Sequence, residues 1–134
     1  MNVLNNNIIL DIYCRMYRSV DELLAYAHQT SPKVYRPFIM TEYLHTMGNS
    51  GGGLKEYMEV FESEPVVQGG CIWDWVDQSF REVDAHGKWY WAYGGDYGPE
   101  NIPSFGNFCC NGLVNAVREP HPHLKEVKKD LSIY

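Results

Sequence analysis

Apolar runs short enough for strands alternate along this chain with stretches whose apolar residues recur at helical spacing, and that alternation restricts the fold more than any other feature. Ile8-Ile9-Leu10-Asp11-Ile12-Tyr13-Cys14 is apolar on both faces, as a buried parallel strand is, and predicts the first strand, with Asp11 an interruption that requires a partner. Ser19 follows as an N-cap, and Val20, Leu23, Leu24 and Ala27 fall at i, i+3, i+4 and i+7, so a helix is expected that ends before Ser31-Pro32. The order then repeats. Phe38 to Thr41 reads as strand, Glu42 to Gly53 as loop, and Leu54, Tyr57, Met58 and Phe61 as the buried stripe of a helix that stops by Pro65. A third strand is predicted from Val66 to Trp75, where Gly69 and Gly70 leave room for close backbone approach.

Alternation of this kind predicts an α/β fold with a parallel sheet and right-handed crossovers. Three strands do not close a barrel, which takes about eight, though a small sheet with helices can also stand alone. Beyond the third strand, Arg81 to Gly95 reads as an irregular hairpin around Asp84-Ala85-His86-Gly87. Residues 94 to 111, rich in Gly, Pro, Asn and aromatics, read as a long functional loop. Leu124, Val127 and Leu131 mark a last helix, opened by Pro122 and with Lys125, Lys128 and Lys129 on its wet face.

The 134 residues are enough for one domain with a real core, and 45% hydrophobic with 21% charged residues is ordinary for a globular protein. A net charge of −6 argues against nucleic acid or an anionic membrane as the main partner, because those surfaces need a basic face. No apolar run approaches the ~20 residues of a membrane-spanning helix, and the N-terminus lacks the order of a signal peptide. Cys14, Cys71, Cys109 and Cys110 show no C-x-x-C spacing and read as buried thiols. The aromatic share of 14% is high, and such side chains build stacking walls for sugar-like ligands as well as cores.

Thr41-Glu42-Tyr43-Leu44-His45-Thr46-Met47-Gly48-Asn49-Ser50 places a carboxylate where a strand meets its loop, the position at which barrel enzymes keep their chemistry. Further motifs occur in order: Asp11-Ile12 through Met16-Tyr17, Gln68-Gly69-Gly70 through Trp73-Asp74-Trp75-Val76-Asp77-Gln78-Ser79, Tyr93-Gly94-Gly95-Asp96, and Phe108-Cys109-Cys110-Asn111-Gly112-Leu113-Val114. With these, the chain from Asp11 to about Lys129 resembles the end of the catalytic barrel of bacterial β-galactosidases of glycoside hydrolase family 2.

The resemblance implies a partial TIM (β/α)8 barrel, roughly its last three strands with their helices and long loops, residues 1–134 being a fragment of that domain with residues 1–7 a non-native or poorly ordered leader. It implies Glu42 as the nucleophile, Tyr17 as the tyrosine that orients it, His45 as a galactose contact and Trp73 as the platform under the sugar. Phe108, through its carbonyl, and Asn111, through its side chain, match ligands of a sodium ion. The family's acid/base glutamate and magnesium ligands lie on segments absent here. Arg15 stands where the family usually has proline, and Ser104-Phe105-Gly106-Asn107 where it carries charged residues.

A retaining glycosidase needs two carboxyl groups about 5–5.5 Å apart. Glu42 supplies one, and Asp74 and Asp77 read as loop-fixing acceptors rather than the second. Loss of a general acid typically costs 10²–10⁴ in rate, so the expectation is a β-galactosidase fragment inactive alone. The alternatives are a self-associating or binding module, or a fragment of a related enzyme such as a β-glucuronidase. Expected partners are a β-galactoside, and the missing barrel segments or a second copy, with no nucleic acid and no membrane; the absence of a signal peptide favours the cytoplasm. His121 and His123 are expected not to form a metal pair, and Asp96 is expected to turn the chain.

Overall fold

The computed structural model describes residues 10–132. The elements are β1 (Tyr13–Met16), α1 (Val20–Ala27), β2 (Phe38–Tyr43), α2 (Leu54–Ser63), β3 (Val67–Ile72), β4 (Phe80–Val83), β5 (Trp89–Ala92), a 3-10 turn (Gly94–Asp96) and α3 (Leu124–Leu131). Contacts divide the chain into two compact units. One holds the described residues up to Tyr43 with Lys55–Cys71, and the other holds Leu44–Leu54 with the described residues from Ile72 onward.

In the first unit α1 starts where expected. The Ser19 hydroxyl accepts from the Glu22 amide at 3.2 Å while the Glu22 carboxylate accepts from the Ser19 amide at 2.9 Å, a complete capping box. Those hydrogen bonds and the neighbouring Arg18 hold the Glu22 carboxyl below the usual range. The helix lays Leu23, fully buried, and Tyr26 inward; Tyr26 stacks on Tyr13 with ring centroids 4.9 Å apart and meets Phe38 edge-on.

The sheet order is β1-β2-β3, with β1 and β2 parallel. The first strand is shorter and later than expected: residues 8 and 9 lie outside the described residues, Asp11 is an exposed bend, and β1 starts at Tyr13, where pairing with Phe38 begins. Arg15 is tolerated in it because its guanidinium lies over the Tyr13 ring, 4.3 Å from the centroid. On α2 the inner face centres on buried Val60 as well as Leu54, with Tyr57 and Phe61 against Tyr43. Gly70 is required by packing, since a Cβ there would stand 2.8 Å from the Met40 carbonyl oxygen. The thiols of Cys14 and Cys71 are exposed, contrary to the buried reading; alternation along β1 turns Cys14 away from the face that Tyr13 presents to α1.

The third strand ends at Ile72 rather than Trp75 because the backbone changes partners there. The Asp74 amide donates to the Asn111 carbonyl at 2.8 Å, the Leu113 amide to Asp74 at 2.9 Å, and Val76 bridges Val114. In this second unit the hairpin forms as expected, β4 and β5 pairing antiparallel from Phe80 and Ala92 to Val83 and Trp89. Residues 97 to 111 contain no strand or helix. Helix α3 buries Val127 and exposes its lysines, but Leu131 is exposed as well. Among the described residues no helix is long and apolar enough to cross a membrane.

Candidate active site

Glu42 owes its orientation to an irregularity in β2. Phe38 and Met40 are buried at period two, and strict alternation would put Glu42 beside them. Instead Arg15 pairs with Met40 and the next residue, Met16, pairs with Glu42, so Thr41 is an extra residue. The next buried position is therefore Tyr43, and Glu42 turns to the opposite face, where it is half-buried. The Thr41 hydroxyl donates to the Arg15 carbonyl at 3.3 Å, tying the bulge to the neighbouring strand. Tyr17 is brought to the same point: its amide donates to the Glu42 carbonyl at 2.8 Å, its φ is 50°, and its side chain stays largely exposed. Behind Glu42, burial among aromatic rings pushes the Tyr43 hydroxyl up to about 12.

The other expected site residues lie together in the second unit. Thr46, which sequence reasoning passed over, joins three segments there. Its amide donates to the Trp73 carbonyl at 3.0 Å, and its buried hydroxyl donates to the carbonyls of Asn111 and Trp73. Trp73 and Asn111 are thereby fixed relative to the loop that starts at Leu44. In that loop His45 meets Phe108 ring to ring, with centroids 5.5 Å apart, and the Ser50 hydroxyl closes the turn on the His45 carbonyl at 2.6 Å.

Asn111 is fully buried, and neither its amide oxygen nor its amide nitrogen has a hydrogen-bond partner among the described residues; the Trp73 indole nitrogen is in the same condition. A buried polar atom left so costs about 1–3 kcal/mol. The side-chain carbonyl of Asn111 is a hard oxygen donor, which suits a hard cation better than a metal that prefers nitrogen or sulfur. Among the described residues no three His, Cys, Asp or Glu side chains are grouped to hold a metal.

The two aspartates are fixing groups. Asp74 accepts from the Trp75 amide at 2.5 Å and from the Gln78 side chain at 2.6 Å. Asp77 is buried, accepts from the Gly112 amide at 2.7 Å and pairs with His121 Nε2 at 2.7 Å. Gly112 lies so close to the Val76–Asp77 backbone that a Cβ would come within 2.4 Å of it. His123 Nε2 lies 3.1 Å from the Gly112 carbonyl, so both histidines take part in this joint. Asp96 accepts from the Tyr93 amide at 2.8 Å and turns the chain.

A sheet of parallel-paired strands with its polar residues at and just beyond the strand ends is the arrangement of barrel enzymes. Residues 2–133 match the family model described as Glycosyl hydrolases family 2, TIM barrel domain, and the chain belongs to that family. β-Galactosidases of Yersinia pestis bv. Antiqua (strain Angola), Yersinia pestis (strain Pestoides F) and Yersinia pseudotuberculosis serotype O:1b (strain IP 31758) are each 45% identical to it over 132 residues. The match covers 92% of this chain and 12% of each relative, so the chain spans about 12% of the length of those proteins.

Proposed function

We propose that the chain is the nucleophile-bearing part of a retaining β-galactosidase and hydrolyses terminal β-galactosides only together with the rest of the barrel. The observation that carries this reading is the Thr41 bulge, which spends a regular strand register to turn one carboxylate away from the helix-packed face. Glu42 attacks the anomeric carbon as the glycosidic bond to the leaving oxygen breaks, giving a glycosyl ester that water then cleaves with retention. Tyr17 orients that carboxylate, Trp73 carries the apolar face of the sugar, and His45 contacts its hydroxyls. The carbonyl of Phe108 and the side-chain oxygen of Asn111 would hold a sodium ion, which would supply a positive charge for a sugar hydroxyl. The acid comes from elsewhere, since the carboxylates of Asp74 and Asp77 are occupied in fixing loops. Ile12 just before β1 and Met16 on it, both exposed, favour the rest of the barrel as the physical partner, with self-association as the outcome without it.

The test is to place residues 10–132 in the corresponding segment of the Yersinia pestis relative and compare hydrolysis of β-galactosides with that of β-glucuronides. The reading expects galactoside hydrolysis that Glu42→Gln lowers by several orders of magnitude, as loss of a nucleophile does. Preference for the glucuronide, or activity that survives the substitution, contradicts it.

A further inference from the structure

We propose that Cys109 and Cys110 form a dithiol site that chelates a single thiophilic atom, of the class of trivalent arsenicals. Both are free, half-buried thiols, and their sulfurs stand 3.7 Å apart. An atom bonded to two sulfurs at about 2.3 Å with an angle between about 95° and 109° holds them roughly 3.4–3.7 Å apart, so the pair closes on a pyramidal trivalent atom with a shift of a few tenths of an ångström. Oxidation to a disulfide would have to draw the sulfurs to about 2.05 Å across residues whose Cα atoms are about 3.8 Å apart, closer than disulfides usually allow.

The identity of the occupant follows from what surrounds the pair. Among the described residues no third Cys, His, Asp or Glu joins it, so a metal that demands three or four protein ligands is not served. A trivalent arsenical carries its own carbon substituent as third ligand and needs only the two sulfurs. That substituent has room, because Cys110 lines an open cleft of about 680 Å³ with Thr46, Asn49, Ser50, His121 and His123. The backbone of the pair is already held, the Cys109 carbonyl accepting from the Gln78 amide at 3.0 Å and the adjoining Asn111 carbonyl from the Asp74 amide at 2.8 Å. Little conformational freedom is then lost on capture. Cys14 and Cys71 cannot compete as a chelate, since they lie on β1 and β3 with β2 between them.

With phenylarsine oxide the step is a condensation. Two S–H bonds break and two As–S bonds form, the oxide oxygen takes both protons and leaves as water, and arsenic stays trivalent. The experiment is intact mass of the 134-residue chain after phenylarsine oxide in the presence of excess 2-mercaptoethanol. One phenylarsenic group per chain is expected, released by 2,3-dimercaptopropanol, kept by the Cys14→Ser/Cys71→Ser double variant and lost in Cys109→Ser and in Cys110→Ser. Peptide mapping of the unsubstituted chain locates the arsenic independently of whether a serine variant folds. No adduct stable to the monothiol, an adduct mapped to Cys14 or Cys71, or one that survives Cys110→Ser overturns the proposal. None of these readouts depends on the galactoside reading.

Discussion

Asp77 spends both carboxylate oxygens on one joint, taking the Gly112 amide and His121 at 2.7 Å each from a buried position. Asp77→Ala strips a buried amide of its acceptor and is expected to cost about 1–3 kcal/mol, read as a lower denaturant midpoint at unchanged slope, whereas Asp77→Asn keeps one acceptor and loses less. Tyr43 gives a pH signature. Its folded-state value stands at about 12 against an ordinary 10, chiefly through burial, so the fold favours the neutral phenol. That contribution is complete below pH 10 and is lost as pH rises from 10 toward 12. Half-buried Tyr26 and Tyr57 act in the same direction, so Tyr43→Phe is expected to flatten part of the alkaline loss of stability, not all of it. Short-range roles of this kind were legible in the sequence: Asp74 and Asp96 bond within four residues. Thr46 was not, because its acceptors lie 27 and 65 residues away and are main-chain carbonyls, which leave no mark on side-chain pattern.

At the level of elements, helices were easier to read than strands. Ser19 and Glu22 set the start of α1 by contacts three residues apart, and apolar periodicity located α2 and most of α3. The ends of β1 and β3 were misplaced because a strand stops where its neighbour stops pairing, and the neighbour is fixed by tertiary structure. Exposed Leu131 shows that periodicity at the last turn of a helix does not prove burial. The bulge at Thr41 is the feature with functional weight. Deleting Thr41 removes the extra residue, so Glu42 directly follows Met40 and regular alternation alone keeps it on the face opposite Phe38 and Met40, while the Thr41 hydroxyl's tie to the Arg15 carbonyl is lost. In the Yersinia pestis chimera this deletion is expected to keep part of the galactoside hydrolysis that Glu42→Gln removes; a loss as complete as that of Glu42→Gln in a folded chimera would contradict the reading that the bulge serves only to set the face of Glu42.

For the molecule as a whole, the family is established and the chain spans about 12% of its β-galactosidase relatives. Ile12, Met16, Trp75, Phe80 and Phe105 are each at least 40% exposed, apolar surface of the kind that marks interaction sites. The residues implied by resemblance fall into two groups, Tyr17 with Glu42 in one compact unit and His45, Trp73, Phe108 and Asn111 in the other. The central claim is that Glu42 forms the covalent bond to the sugar. Its most direct test is a mechanism-based label, a 2-deoxy-2-fluoro-galactosyl donor with an activated leaving group, applied to the chimera and followed by intact mass and peptide mapping. The account predicts one fluorosugar per chain, esterified to Glu42 and absent from Glu42→Gln; a sugar on any other carboxylate, or one retained by that variant, would contradict it.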